Sequence, residues 1–185
     1  MRGTVSTFPP YQQYATALLV EAYRAAPGRL RAVLEGLSPE ELRARPRPGK
    51  WSAIEITCHL VDSEIIGACR VRMALAQPGA SLPGYDQDRW TPALAHQERD
   101  QRGRETVLGL FESLRRETGL LLDRASPGDW EAAWGVHPDY GAITLRNLLE
   151  LYADHGERHL QQIMTLRRLL GRPRDIAMLL EDRLY

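Results

Sequence analysis

The stretch of sequence that decides the fold is residues 145–170, which read LRNLLELYADHGERHLQQIMTLRRLL. Its apolar residues recur every three or four positions, as they do on the buried face of an α-helix. That stripe consists of Leu145, Leu148, Leu149, Tyr152, His155, His159, Ile163, Leu166 and Leu170. The segment therefore predicts a long helix with Thr144 as its N-cap and its end at Gly171.

The chain before this segment predicts three more long helices. The first starts after Pro9 and Pro10, and Pro27-Gly28 is expected to kink or break it before a second piece over 30–37. The third runs from about Arg99 to Arg124. Four long helices with short punctuation predict an all-α protein built as a four-helix bundle.

The second predicted helix has the strongest start signal. Ser52-Ala53-Ile54-Glu55 is a capping box, with Trp51 placed just before it as a candidate hydrophobic staple. The helix is expected to run to about Ala76.

Shorter segments connect these helices. Ser38-Pro39-Glu40-Glu41 opens a short helical turn, and residues 78–92 are expected to form a loop. Residues 129–143 are expected to be an irregular connection, because they lack the alternating pattern of a strand. Residues from Pro173 onward are expected to form a fifth, shorter helix.

Composition narrows the class of protein. The chain has 185 residues, of which 43% are hydrophobic and 26% charged, which predicts one globular domain over residues 1–185. Equal numbers of basic and acidic residues, 24 each, give no net electrostatic field that would favour binding to nucleic acid.

No apolar run approaches the roughly 18 residues of a membrane span, and the N-terminus lacks a signal pattern, so a cytoplasmic protein is expected. Cys58 and Cys69 are expected to be small buried apolar residues without a disulfide.

Two histidines on the fourth predicted helix carry the first chemical signal. His155 and His159 are four residues apart, so their rings lie one turn from each other on the same face and can reach one metal ion. The zinc-protease pattern His-Glu-x-x-His is absent, because Glu157 points away from His155. The alternative interpretation is a pair of core histidines that are hydrogen-bonded to their neighbours.

A third histidine, His59, favours the metal interpretation, because it interrupts the apolar stripe of the second predicted helix. Asp62 follows three residues later and is a candidate to orient an imidazole or to accept a hydrogen bond from water at the metal. Cys58 should not share the site, and His96 and His137 are poorer ligand candidates. Three imidazoles leave a coordination position open and suit Zn, Ni, Fe or Cu.

Several separated motifs carry a family resemblance that spans about Pro10 to Gly171. They are Trp51-Ser52 before His59-Leu60-Val61-Asp62-Ser63-Glu64, then Leu82-Pro83-Gly84-Tyr85-Asp86, His137-Pro138-Asp139-Tyr140-Gly141, and Tyr152-Ala153-Asp154-His155-Gly156-Glu157-Arg158-His159-Leu160. The sequence resembles the DinB/YfiT-like family in these motifs and in their order.

The resemblance implies a four-helix bundle, often dimeric, with a divalent metal held by three histidines that fall on His59, His155 and His159. Members with assigned activity are thiol S-transferases that use bacillithiol or mycothiol, and related thiol-dependent enzymes. We therefore expect one divalent transition metal, Zn or Ni first with Fe or Mn as alternatives. The expected assembly is a homodimer, without a nucleic-acid or membrane partner.

Three functions remain open on the sequence. The leading hypothesis is an S-transferase that activates a low-molecular-weight thiol at the metal for attack on an electrophilic substrate. The second is a hydrolase that uses a metal-bound water, with Asp62 or Asp154 as a base. The third is a non-catalytic metal-binding module of a stress response, which assembles with itself or with a partner.

Overall fold

The computed structural model describes residues 14–180 and contains the four long helices that the sequence predicts. These are α1 (Thr16–Leu34), α3 (Ala53–Ala76), α5 (Gln101–Arg124) and α7 (Leu145–Leu169). Between them lie the short helices α2 (Pro39–Arg43), α4 (Gln87–Ala93) and α6 (Asp129–Ala132), a 3-10 turn (His96–Glu98), and the strands β1 (Ala80–Ser81), β2 (Trp134–His137) and β3 (Gly141–Thr144).

The long helices form a four-helix bundle. Helix α1 packs against α5 and α7, and α3 packs against the same two helices. Helices α1 and α3 therefore lie on one diagonal of the bundle, and α5 and α7 on the other. This arrangement puts α3 and α7, which carry the three histidines, side by side.

The predicted helix starts at Ser38, Ser52 and Thr144 are confirmed. Each of these residues forms a capping box, in which its side chain accepts a hydrogen bond from the backbone three residues on. The predicted start after Pro9 and Pro10 lies outside the described residues, and α1 begins at Thr16.

Of the kink or break predicted at Pro27-Gly28, the break does not occur, because α1 continues through both residues. Proline lacks the N–H that would bond to the carbonyl of Tyr23, four residues earlier. Arg115 of α5 supplies the missing donor, since its Nη1 lies 2.7 Å from the Tyr23 carbonyl oxygen. A contact from another helix thus satisfies the carbonyl that Pro27 leaves free.

The irregular connection predicted over 129–143 is also wrong, since it contains α6 and most of a β-hairpin. Strands β2 and β3 pair antiparallel, with His137 opposite Gly141, and β1 pairs in parallel with β2. Gly141 closes the three-residue hairpin loop with φ of 72°, a conformation that glycine adopts without strain. The result is a three-stranded sheet in the order β1-β2-β3.

Two further expectations fail at the ends of the bundle. The loop predicted over 78–92 contains β1 and α4, whose N-cap Asp86 accepts hydrogen bonds from the backbone of Asp88 and Arg89. Residues 173–180 form no helix. No helix within residues 14–180 has both the length and the apolar character needed to cross a membrane.

The bundle core consists of two apolar clusters. One contains Leu30, Ile54, Leu60, Phe111 and Ile163, and the other contains Leu19, Val71, Leu122, Leu145 and Leu148. Along α7 the second cluster ends at Ala153 and the first begins at Leu160. His155 and His159 therefore lie between the two clusters, in a polar layer of the bundle.

Candidate metal centre

A close contact between α3 and α7 sets the position of the two helices beside the histidines. A Cβ atom added at Gly67 of α3 would lie only 2.6 Å from the ring of Tyr152 on α7. Glycine is therefore required at this contact, which lets the backbones approach each other.

The structure brings His59, His155 and His159 together, as the sequence predicts. The Nε2 atom of His155 lies 3.0 Å from the Nε2 atoms of both His59 and His159. All three ligand atoms lie within 4.8 Å of one another. Imidazole nitrogens bind zinc at about 2.0–2.1 Å, so a pair at the observed separation can share one ion.

The other ring nitrogens show how the imidazoles are oriented. Nδ1 of His159 lies 2.9 Å from Oε1 of Gln162, and Nδ1 of His59 lies 3.4 Å from the hydroxyl of Tyr85. The amide oxygen of Gln162 only accepts hydrogen bonds, so His159 carries its proton on Nδ1 and turns a lone pair on Nε2 toward the cluster. Such partners are typical of histidines that bind metals.

The donor set fits a divalent cation. Nδ1 of His155 is buried and has no hydrogen-bond partner within residues 14–180. The three Nε2 atoms face one another, so at most one of them can carry a proton, and two lone pairs would have to share that proton. A cation at their centre would satisfy all three, and burial of unpaired polar nitrogens is otherwise costly.

Burial keeps the imidazoles neutral. It lowers the pKa of His59 to about 3 and that of His159 to about 4. The pKa of His155 lies well below its ordinary value, first because of burial and then because of His159 and His59. Neutral imidazole is the form that binds a metal, so the cluster is ready to bind one at neutral pH.

Aromatic side chains surround the histidines. The ring centroid of Trp51 lies 4.7 Å from that of His59 and 6.5 Å from that of His159. Tyr85 lies 6.4 Å from His59 and 4.9 Å from Trp90. Trp51, proposed from the sequence as a staple, thus also packs directly on two of the candidate ligands.

Asp62 is close to the site but does not orient any of the three candidate ligands. Its Oδ2 atom lies 3.0 Å from Nε2 of His96, which the sequence placed in a loop. His96 instead stands in the 3-10 turn and is 2% exposed. The candidate carboxylate therefore contacts the imidazole of His96, and not one of the three candidate ligands.

The remaining polar residues near these helices have other partners. Asp154, one of the two carboxylates considered as the base of a hydrolase, forms an ion pair with Arg158 at 2.7 Å. Burial raises the pKa of the Cys58 thiol to about 12, and Cys58 is not part of the histidine cluster. His137 lies in β2, where its Nδ1 accepts a hydrogen bond from the backbone N–H of Asp139 at 3.1 Å.

Sequence reasoning missed Tyr85, Gln162 and the role of His96. Gln162 could have been found, because it stands three residues after His159 on the same helix and can reach its ring. Tyr85 and His96 come from connections between helices. Only the fold brings them to α3, so helical spacing carries no signal for them.

Comparison with known proteins shows the family of the chain. A family model described as the DinB superfamily matches residues 22–163. A protein of Oceanobacillus iheyensis named "Putative metal-dependent hydrolase OB0782" is 29% identical over 140 residues, which cover 76% of this chain and 78% of that protein. A "Putative metal-dependent hydrolase" of Geobacillus thermodenitrificans is 27% identical over 176 residues, covering 92% and 96%.

A solved structure shares the fold. YfiT from Bacillus subtilis, described as "a probable metal-dependent hydrolase with an unusual four-helix bundle topology", superposes with a TM-score of 0.80 at 23% identity, over 89% of this chain and 94% of that one. With the fold, the histidine cluster and the family match in agreement, the chain belongs to the DinB superfamily.

Proposed function

We propose that the protein is a metal-dependent enzyme that activates a small-molecule nucleophile at the cluster of His59, His155 and His159. The observation that carries this proposal is the donor set, which consists of three neutral imidazoles, with no carboxylate or thiolate from the described residues 14–180. A divalent cation held in this way keeps most of its positive charge. It would lower the pKa of a bound thiol or water and stabilise the resulting anion.

The nucleophile must come from outside the cluster. The Cys58 thiol lies apart from it and has a raised pKa. Among the described residues, no cysteine, aspartate or glutamate contributes to the cluster. A bound thiol or water therefore fits the site better than a covalent enzyme intermediate.

The chain's own residues would hold and partly shield the reactants. His59 and His159 are buried at 2% and 8% exposure, whereas His155 is only partly buried. Trp51 packs on the two buried ligands. An accessible ligand supports a reactive site rather than a closed structural one.

The reaction proposed first is transfer of a low-molecular-weight thiol to an electrophilic substrate. The resemblance to thiol S-transferases of the DinB/YfiT-like family supports it, with bacillithiol as the first candidate thiol and mycothiol as the second. Zn²⁺ and Ni²⁺ are the preferred metals, because imidazole donors suit both.

Hydrolysis is the second candidate, and the names of the relatives favour it. In this case a water activated at the site would replace the thiol. The protein would otherwise use the same three histidines, so the site geometry does not separate the two reactions.

Paired assays on zinc-loaded and nickel-loaded protein test the proposal. Bacillithiol, mycothiol or glutathione is offered with monochlorobimane in one assay, and an activated ester is offered in the other. Metal-dependent bimane conjugation supports the transferase, and metal-dependent ester cleavage alone supports the hydrolase. If the metal-loaded protein is inactive in both, the non-catalytic metal-binding module replaces the enzyme proposal.

A further inference from the structure

The pair formed by Asp62 and His96 has no role in holding the three candidate ligands, yet it lies beside them. Asp62 stands three residues after His59 on α3, about one helical turn along the same side. The 3-10 turn that carries His96 packs against α3. The pair therefore lies against the helix that carries His59, whose Nδ1 contacts the hydroxyl of Tyr85.

The contact with Asp62 decides which nitrogen of His96 carries the proton. An ionised carboxylate can only accept hydrogen bonds, so Nε2 of His96, 3.0 Å away, is the protonated nitrogen of the neutral ring. Nδ1 then has a free lone pair. That atom is buried and has no hydrogen-bond partner among the described residues, in a side chain that is 2% exposed.

Other buried carboxylates of the bundle are already engaged. Glu55 binds Arg45 and caps α3, Glu64 binds Arg115, and Asp154 binds Arg158. His96 is thus the imidazole next to the cluster that keeps a free acceptor atom while a carboxylate supports its other nitrogen. An imidazole oriented in this way by a carboxylate is suited to accept a proton.

We propose that Nδ1 of His96 accepts the proton of the nucleophile activated at the histidine cluster, and that Asp62 is the positioning residue that holds His96 in the accepting tautomer. This inference rests on the proposed function. The S–H bond of the thiol, or an O–H bond of water, breaks, and its proton forms an N–H bond with Nδ1. The electron pair stays on sulfur or oxygen, and Asp62 balances the charge of the resulting imidazolium.

The test compares zinc-loaded wild type with His96→Asn, Asp62→Asn and the double variant. His137→Asn is the matched control, because His137 is also a buried histidine whose Nδ1 accepts a hydrogen bond. The probes are monochlorobimane with bacillithiol, and an activated ester. Zinc content and zinc affinity are measured for each protein in parallel.

We expect His96→Asn to lower kcat/KM by about 10²–10⁴-fold while zinc affinity stays unchanged. The pH–rate profile of this variant should differ in shape from that of wild type. Asp62→Asn should cause a smaller loss, and the double variant should be no worse than His96→Asn alone, because the two residues act as one unit. His137→Asn should keep the wild-type rate and profile.

A readout without turnover accompanies the rates. ¹⁵N NMR of the zinc-loaded protein should show the His96 proton on Nε2 and a bare Nδ1, and Asp62→Asn should weaken this preference. A proton found on Nδ1 would overturn the proposal, even if His96→Asn failed to fold.

The other outcomes are distinguishable. An active wild type with an unaffected His96→Asn variant overturns the proton acceptor and leaves the proposed function intact. Loss of zinc from His96→Asn would assign His96 to metal retention and also overturn it. A zinc-loaded wild type that is inactive with both probes removes the proposed function, and the proton acceptor with it.

Discussion

Two buried polar clusters in the bundle differ in how their hydrogen bonds are satisfied. Around Arg115, which is 1% exposed, each guanidinium nitrogen has an acceptor: Glu64 at 2.7 Å, the Tyr23 carbonyl at 2.7 Å and the Tyr152 carbonyl at 2.9 Å. The hydroxyl of Tyr23 donates to the other oxygen of Glu64. Groups of the chain itself therefore satisfy the hydrogen bonds of this cluster.

The histidine cluster is not satisfied in this way. Its three Nε2 atoms face one another, and Nδ1 of His155 has no partner in the part of the chain that the structure describes. Buried polar groups in native proteins are almost always paired, so an exception calls for an explanation. The comparison teaches that the Arg115 cluster stabilises the fold, whereas the histidine cluster is organised to bind a group from outside the chain.

The largest effect should come from breaking the satisfied cluster. Arg115→Met keeps much of the side-chain volume but leaves Glu64 buried without its cationic partner. We expect the free energy of unfolding to fall by about 3–5 kcal/mol, measured by denaturant titration. Arg116→Met, a change at the exposed neighbouring position, is the control and should cost little. A loss below about 1 kcal/mol for Arg115→Met would contradict the structural role of this cluster.

The second prediction concerns stabilisation by zinc. At about 100 times its Kd, a ligand that binds only the folded state should raise the free energy of unfolding by about 2.7 kcal/mol. Wild type and Arg116→Met should both show this increase. His59→Ala, His155→Ala and His159→Ala should each lose it, and an equal increase in all of these proteins would place the zinc elsewhere.

The third prediction concerns the loss of stability of the metal-free protein at low pH. Without metal, the pKa values of about 3 for His59 and about 4 for His159 lie below the ordinary value of about 6.5. Below pH 6.5 the unfolded chain therefore binds protons that the folded chain does not. The stability that these groups contribute is complete above about pH 6.5 and falls as the pH drops toward 4, by up to about 1.4 kcal/mol per pH unit and histidine.

Denaturant titrations of the metal-free protein at several pH values between about 7 and 5 measure this slope. The free energy of unfolding of His159→Ala should depend less steeply on pH than that of wild type. This variant lacks one histidine that takes up a proton in the unfolded chain but not in the folded one. Equal slopes would mean that His159 keeps an ordinary pKa in the folded protein.

The smallest effect should come from the partners of the imidazoles. Gln162→Ala removes the acceptor of His159 and should lower zinc affinity by about 10-fold, measured by competition with a chelator. Gln161→Ala, at the neighbouring position of α7, is the control and should bind zinc as wild type does. If the two variants have the same affinity, Gln162 does not orient the ligand.

Local signals predicted much of the bundle and of the candidate ligand set. The capping boxes at Ser52 and Thr144 and the spacing of His155 and His159 depend on neighbours in sequence, and such neighbours can be read directly. The continuation of α1 through Pro27 could not be read in this way, because it depends on Arg115 from another helix.

The hairpin was missed for a different reason. Its strands are only four residues long, and the pattern of exposed and buried residues in β2 places the aromatic Trp134 outward and Gly135 inward. Hydropathy alone would place them the other way. The glycine that closes the three-residue loop, Gly141, was the available signal. The pairing of Asp62 with His96 required the tertiary structure, since the two residues lie on different elements.

The most direct test of the central claim is the zinc and nickel content of untagged protein after reconstitution and removal of excess metal, measured by elemental analysis. We predict one ion per chain for wild type and for His96→Ala, and a sharp loss for His59→Ala, His155→Ala and His159→Ala. An unchanged stoichiometry in these three variants, or no bound ion in the wild type, would contradict the assignment of the three-histidine cluster as the metal centre.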